Sequence, residues 1–473
     1  MRYSESVDKL LGLADFERKS RSNDPPDFHL RRMEALLGRV GDPHLGTPTV
    51  HVAGSKGKGS TAAMVASALD AARLKTGLYT SPHLHRFTER IRVGQTHIDE
   101  ASFAALVEEL WPHVGAVSAT GEVGRVSVFE LLTAMAFQHF HACGADAQVI
   151  EVGLGGRLDA TNVVNSDVSV ITPVSLDHVA VLGDTVPQIA AEKAGIVKPG
   201  VPVVVGRQLP EARAVIERVA AERGARLVDA FQQVQLLRAE PLPRSQQLEL
   251  QGEKGRYDIN LPLLGEHQVE NAITAIAALE VFDGERGSAT TASAAQRIAD
   301  GLGRVEWPCR AEILSEAGDG WPMIVVDGAH NEASAAAFVR ALRRHFPDAP
   351  RVTLIYAGSG GHDYGAAARE FAPLDPDIIV TKTRHPKAVS PDAVAEALRC
   401  DNLRVVETTH SVTEALAALR RLPGPSPDLV AAAGSLFVAA EVREAVKGIE
   451  PELYPDLRGG LKRPLDSFSR ASA

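Results

Sequence analysis

The chain has 473 residues and carries 50 Lys plus Arg against 60 Asp plus Glu, a formal net charge of −10, with only three cysteines. That length excludes a small stapled scaffold and leaves room for two or three domains around at least one large core. The acidic balance disfavours a nucleic-acid partner, and Cys143, Cys309 and Cys400 are too scattered for a disulfide framework or a metal-ligand spacing. They read as small buried hydrophobes in a reducing compartment. The N-terminal residues 1–24 are repeatedly interrupted by charge, and no stretch approaches the length of a membrane span. The expectation is a cytoplasmic protein with no membrane contact.

Short β-branched runs alternate with helical patterns along the chain. Thr49–Ala53 reads as a strand that enters a Gly-rich turn and then a small-residue helix over Ser60–Ala72; Ala147–Val152 and Val168–Val174 are further strands. A second series of strands covers Met323–Val326, Arg351–Tyr356, Asp377–Thr381, Leu403–Val406 and Asp428–Ala432, each followed by a helical segment. Such alternation implies an α/β fold with parallel sheets covered by helices. Between the two series, Gly301–Pro308 holds two glycines and a proline where a helix must end, which makes it the candidate linker, with a boundary near Glu306. The stretch Pro451–Ala473 lacks periodicity and reads as a flexible tail.

The strongest chemical signal is Gly54-Ser-Lys-Gly-Lys-Gly-Ser-Thr61, placed between a predicted strand and a predicted helix. Backbone N–H groups in such a turn wrap a phosphate, the helix N-terminus adds partial positive charge, and Lys58 reaches the terminal phosphates. Gly57, Lys58, Gly59, Ser60 and Thr61 are therefore the candidate nucleotide-binding residues, the two hydroxyls being suited to Mg²⁺. The pattern departs from the common nucleotide-binding loop because Gly59 separates Lys58 from Ser60. A plain helix cap is the competing explanation. No Asn-Lys-x-Asp is present to recognise guanine, which favours ATP over GTP.

Four further positions have both a chemical and an ordinary reading. Glu151 ends an apolar strand, where ligands collect in open α/β sheets, but a strand-end carboxylate can equally be solvated. Asp177-His178 follows another strand to the same sheet edge, although a lone histidine is more often structural. Lys193 falls in the last turn of a helix predicted over Asp184–Ala194, where a cation complements the helix dipole. Ser127-Val-Phe-Glu130 opens an apolar-faced helix as a capping box, which would occupy Glu130 and leave Phe129 to core or ligand pocket. Val325-Val-Asp-Gly-Ala-His-Asn331 repeats the strand-end pattern in the second series.

Taken in order, GSKGKGS, YTSPHLHRFTERI, SVFELLTAMAF, VIEVGLGGRLDATN, SLDHVAVLG, EKAGIVKPG, HQVENAITAIAAL, VVDGAHN and AAAGSLFVAAEV make the chain resemble the folylpolyglutamate synthase/dihydrofolate synthase family, a branch of the Mur ligase superfamily. The resemblance runs from about Phe28 to about Val446. It implies an N-terminal Mur-ligase-type P-loop ATPase domain with a mainly parallel sheet over 1–305, a smaller Rossmann-like C-terminal α/β ligase domain over 306–450, and the tail 451–473. It also implies an ATP-dependent amide ligase that joins L-glutamate to a folate or to dihydropteroate through an acyl phosphate, acting as a monomer.

Matching residues carry the family roles as follows. Lys58 would contact ATP phosphates; Ser81 and Glu151 would hold a first Mg²⁺, and His178 a second. Lys193 falls on a lysine that is carbamylated in the family. Asn271, Arg310 and Asp327 would serve the nucleotide, and His330 would stand near the incoming glutamate and acyl phosphate. Phe129, Glu130, Arg157, Leu158 and Asp159 would line the pteridine or folate pocket. Two departures are visible: Ser55-Lys56 replaces a Thr-Asn pair, and His362 stands where a lysine is common. Another Mur-type amino-acid ligase and a noncatalytic ATP-binding relative are the rival readings.

Overall fold

A computed structural model describes residues 1–14, 30–121, 123–285, 292–316, 321–361, 363–422 and 425–454. His362, Phe28 and the tail beyond residue 454 lie outside the described residues. The first sheet contains β1 (Thr49–Ala53), β2 (Thr76–Tyr79), β3 (Ile91–Val93), β4 (Thr96–His97), β5 (Ala147–Glu151), β6 (Val168–Ile171), β7 (Val203–Val205) and β8 (Leu227–Asp229). Its order is β4-β3-β2-β5-β1-β6-β7-β8. Strands β2, β5, β1, β6, β7 and β8 run parallel, and the β3–β4 hairpin adds an antiparallel edge. The central strands β1 and β5 are buried at every position, as expected where helices cover both faces.

The helix Lys58–Ala71 begins two residues earlier than its apolar pattern predicts, because Gly57 takes a left-handed conformation (φ 82°) and turns the chain directly into the first turn. Small residues cover this helix and let its neighbour Ala292–Leu302 approach closely: a Cβ on Gly301 would stand 2.3 Å from Ala68 Cα. Ser67 Oγ donates to Gly301 O at 2.7 Å across that contact. On the other face of the sheet, the helices Leu30–Gly38, Glu100–Ala119 and Val128–Ala142 enclose a second core that includes Phe103, Leu132, Phe137 and Phe140. Fully burying each such side chain is worth about 1.5–3 kcal/mol.

A three-stranded antiparallel sheet, β9 (Gln235–Pro241), β10 (Gln246–Gln251) and β11 (Arg256–Leu261), was not anticipated from the sequence. Alternate residues Leu248, Leu250, Tyr257, Ile259 and Leu261 enter the same core as the helix Glu266–Glu285. The final sheet holds β12 (Glu312–Ser315), β13 (Met323–Val326), β14 (Val352–Tyr356), β15 (Asp377–Val380), β16 (Val405–Thr408) and β17 (Leu429–Ala433) in the order β12-β13-β17-β14-β15-β16. All its pairings are parallel except that of the edge strand β12.

Several expectations need correction. The strand expected over Val168–Val174 stops at Ile171, because Pro173 leaves the ladder and its carbonyl accepts the N–H groups of Ser55 and Lys56. Cys309 is buried, but Cys143 is only partly so and Cys400 is exposed, on the last turn of a surface helix. The start of the supposed tail is anchored: Tyr454 is buried among Phe87 and His83. Among the described residues no helix is long and apolar enough to cross a membrane.

Candidate active site

The loop from Gly54 to Gly57 sits where β1 leaves the sheet. Gly54 (φ 152°) lies so close to β6 that a Cβ there would be 1.8 Å from Thr172 Oγ1. Ser55 Oγ donates to Ser175 O at 2.9 Å and accepts from Ser175 N at 3.1 Å, so the first departure from the family pattern staples this loop to the segment after β6. The first-turn amides of the helix that follows have no intrahelical partner and form a ready anion site. Thr61 Oγ1 is buried with no hydrogen-bond partner among the described residues, and Ser60 is buried beside it.

Glu151 closes β5 next to this loop and is 4% exposed. Its Oε2 accepts the Ser81 N–H at 3.1 Å. Burial pushes the carboxyl above its ordinary range, opposed by the charges of Lys58, Arg310 and Arg90 and by the Ser81 amide. Thus the structure brings Ser81, Glu151 and Lys58 together. Arg90, buried just before β3, donates Nε to His83 Nδ1 at 2.9 Å and adds its charge to those acting on this carboxylate, a role the sequence did not announce. Its place near the end of YTSPHLHRFTERI, directly before the short strand β3, was the available signal.

Lys193 stands on the helix Val186–Ala194, capped by Thr185 and not begun at Asp184 as expected. It does not serve its own helix end: Nζ donates to Gly54 O at 2.8 Å, and the side chain is buried against the phosphate loop. Burial, reinforced by Lys58, lowers its ammonium to about 7. Asp177 lies in the same cluster; burial works to raise its carboxyl, but Lys56, His178, Lys58 and Lys193 together bring it below the usual range. His178 takes a left-handed conformation (φ 48°) ahead of a short helix and is exposed, its Nε2 3.8 Å from Asp177 Oδ1. Lys56 is itself held down by burial, with Asp177 opposing.

The other wall comes from beyond the linker. Cys309 and Ala311 both adopt left-handed conformations on either side of Arg310. That turn directs Arg310 toward Glu151, Lys56 and Asp327, on each of which its charge acts. Asp327, immediately after β13, accepts Ala311 N and Ala329 N at 2.8 Å each; burial raises its carboxyl to about 6 against the pull of Arg310. His330 Nδ1 approaches Gly328 O at 2.8 Å, which orients the ring at the start of the helix Glu332–His345. Asn271 bonds Gln268 at 3.0 Å and presses on the loop, for a Cβ on Gly57 would lie 2.2 Å from its Oδ1. Trp307, unremarked in the sequence, covers Gly59 so closely that a Cβ there would meet its ring at 2.7 Å.

The proposed pocket residues divide. Phe129 lies over Gly153, where a Cβ would be 2.5 Å from its ring, and 5.9 Å from the Tyr79 ring. Glu130 is engaged as the capping box predicts: Oε2 accepts Ser127 N at 2.7 Å, and Oε1 pairs with buried Arg32 at 2.7 Å. Asp159 is buried and accepts from Leu154 N, Thr161 N and Thr161 Oγ1, which shapes the loop after β5. Arg157 is exposed and pairs with Glu192 at 2.8 Å; Leu158 is half-buried. Glu130 and Asp159 therefore have structural occupations, whereas Phe129, Arg157 and Leu158 retain surface for a ligand.

Comparison with known proteins agrees with this architecture. The Mur ligase middle domain matches residues 52–279, and the Mur ligase glutamate ligase domain matches 309–436. A dihydrofolate synthase/folylpolyglutamate synthase of Mycobacterium tuberculosis is 35% identical over 87% of this chain and 86% of its own length. The folylpolyglutamate synthase of Mycobacterium tuberculosis solved with ADP and AMPPCP superposes with a TM-score of 0.85 at 33% identity, covering 95% of this chain and 99% of that one. A solved FPGS–AMPPCP–folate complex gives a TM-score of 0.76 at 31% identity, with 94% and 100% of the two chains covered. On the strength of this likeness across nearly the whole length, the chain belongs to the dihydrofolate synthase/folylpolyglutamate synthase family of Mur ligases.

Proposed function

We propose that the protein is an ATP-dependent ligase that joins L-glutamate to a folate, to dihydropteroate, or to both, releasing ADP and phosphate. The observation that carries this reading is the convergence of Lys58, Glu151 and Arg310 from two sheets on one phosphate-binding loop. An oxygen of the acceptor carboxylate attacks the γ-phosphorus of ATP, ADP leaves, and an acyl phosphate forms. The glutamate amine then attacks the acyl carbon and expels phosphate as the amide forms. Both substrates of the first step are anionic, so Lys58 and Arg310 offset the charge that develops at the transferring group. Alignment of the two reactants contributes about 7–11 kcal/mol in a well-ordered site. We place Asn271 at the nucleotide, Asp327 behind Arg310, His330 near the amine, and Phe129, Arg157 and Leu158 toward the pterin end. We further propose domains over 1–305 and 306–450; the two walls would then belong to separate domains, and closing them together would exclude water from the acyl phosphate.

Mg²⁺ fits the donors present. Glu151 is a desolvated oxygen donor beside Ser81, and no cluster of three or more acidic, histidine or cysteine ligands exists among the described residues. Mg²⁺ ordinarily takes one or two protein oxygens and completes its shell with phosphates and water. Glu151 and Ser81 would hold a first ion, which when bound would neutralise charge on the ATP phosphates. A second ion would need His178 and an oxygen ligand at Lys193. The buried amine supports this: a neutral Lys193 adds to CO₂, loses a proton and becomes an anionic carbamate, which its ammonium form cannot do. A cytoplasmic monomer completes the reading.

The test is phosphate release by the purified full chain with ATP, Mg²⁺ and glutamate, run in parallel with dihydropteroate and with reduced folate. Release that requires one of the two acceptors and glutamate is expected, and assigns the acceptor. ATP hydrolysis indifferent to both acceptors would contradict the proposal.

A further inference from the structure

The loop that carries Ser81 is gripped from behind by the C-terminal part of the chain, through residues the ligase chemistry does not use. Within this loop, Glu89 accepts the backbone N–H groups of Leu84, His85 and Arg86 at 2.7, 2.8 and 2.9 Å, so Leu84 to Glu89 moves as one piece. His85 projects from that piece and is 6% exposed. Its Nδ1 lies 3.0 Å from Glu444 Oε1 and its Nε2 lies 3.1 Å from Arg443 Nη1, both on the final helix Leu436–Lys447.

The chemistry of the partners fixes the direction of each bond. A guanidinium only donates, so Nε2 accepts and the ring proton sits on Nδ1, facing the Glu444 carboxylate. Arg443 in turn donates Nε to both oxygens of Glu312 at 3.0 and 3.1 Å, and Glu312 Oε2 accepts Cys309 N at 2.9 Å. Glu444 also receives the Arg384 guanidinium. One relay of hydrogen bonds therefore joins the turn that presents Arg310 to the loop that presents Ser81.

We propose that His85 is a positioning residue that clasps the Ser81 loop to the final helix, keeping Ser81 seated on Glu151 while Arg310 is held from the same relay. This rests on the ligase reading only for its catalytic consequence. The clasp itself is a statement about the loop, and can be tested separately.

The experiment is amide hydrogen exchange on the full chain, wild type against His85→Leu, His85→Asn and His85→Gln, with ATP turnover measured against Mg²⁺. Leu removes both bonds, Asn keeps an N–H toward Glu444, and Gln keeps an acceptor toward Arg443. For His85→Leu, exchange across residues 81–90 should quicken about tenfold while the helix Lys58–Ala71 is unchanged, with Asn and Gln between. Half-saturating Mg²⁺ should rise in the same order, with the KM for the acceptor unmoved. Wild-type exchange over 81–90 in His85→Leu would overturn the clasp. So would acceleration spread equally over the whole chain in all three variants, which marks a merely structural histidine. Should the wild type lack acceptor-dependent turnover, the ligase reading fails, while the exchange data still decide the clasp.

Discussion

Glu151 and Asp327 occupy equivalent places in two different sheets. Glu151 ends β5, Asp327 follows β13, each is almost fully buried, and burial pushes both carboxyls upward. Their surroundings differ. Asp327 has both oxygens committed to backbone N–H groups, from Ala311 and Ala329, and so braces the turn that holds Arg310. Glu151 accepts one backbone N–H, from Ser81, and is acted on by the charges of Lys58, Arg310 and Arg90. The same strand-end chemistry thus yields a frame in one sheet and, in the other, a carboxylate with bonding capacity left over beside the phosphate loop. What separates them is how many backbone donors each carboxylate already satisfies.

The contrast can be broken most severely at Lys58. Lys58→Ala removes a cation that acts on Glu151 and, on the proposed reading, on the transferring phosphoryl group, so turnover should fall about 10²-fold or more, as for lost transition-state donors. Binding of folate alone should barely change by calorimetry. Turnover within a few-fold of wild type would contradict the assignment of the phosphate loop.

Lys193 sharpens the Glu151 side through pH. Its ammonium is lowered from 10.5 to about 7, so below pH 7 the folded chain carries a buried charge. Between that value and 10.5 the folded lysine is neutral while the unfolded one remains charged, and its penalty on stability is relieved as pH rises across that window. Carbamate formation needs the neutral amine, so bicarbonate-dependent activity should climb in the same direction. Lys193→Arg should fold yet lose most activity, because a guanidinium stays charged and forms no carbamate. A fully active Arg variant with an unchanged pH profile would remove Lys193 from the chemistry.

The smallest and most discriminating effects come from exchanging the two carboxylates for amides. Glu151→Gln can still accept from Ser81, so melting should be near wild type while the Mg²⁺ requirement rises several-fold. Asp327→Asn cannot accept from both flanking N–H groups and should lose about 1–3 kcal/mol of stability, with its Mg²⁺ titration unchanged. Identical behaviour of the two variants in melting and metal titration would erase the distinction.

Much of the parallel framework was legible because its strands are continuous apolar runs that end in glycine-rich turns; β1, Gly54 and Gly57 are the clearest instance. The β9–β11 sheet was hidden by its composition. Its exposed positions carry Gln, Arg and Glu and, on β9, Leu236 and Leu237, so only the alternation of Leu248 with Leu250, and of Tyr257 with Ile259 and Leu261, marks it. At the site, motif residues next to strand ends were readable one at a time, but their occupations were not. Nothing local in the sequence says that Glu130 is taken by Arg32, that Lys193 reaches Gly54, or that Trp307 covers Gly59. These pairings span the chain and exist only once the sheets are assembled.

The acyl phosphate is the centre of this account, and an oxygen label follows it directly. With ¹⁸O in the acceptor carboxylate, its attack on ATP carries one labelled oxygen onto phosphorus, and amide formation then releases that oxygen in inorganic phosphate. Mass spectrometry of the phosphate should find one ¹⁸O per turnover, dependent on glutamate and ATP. Phosphate released in step with amide formation but without label would contradict the mechanism.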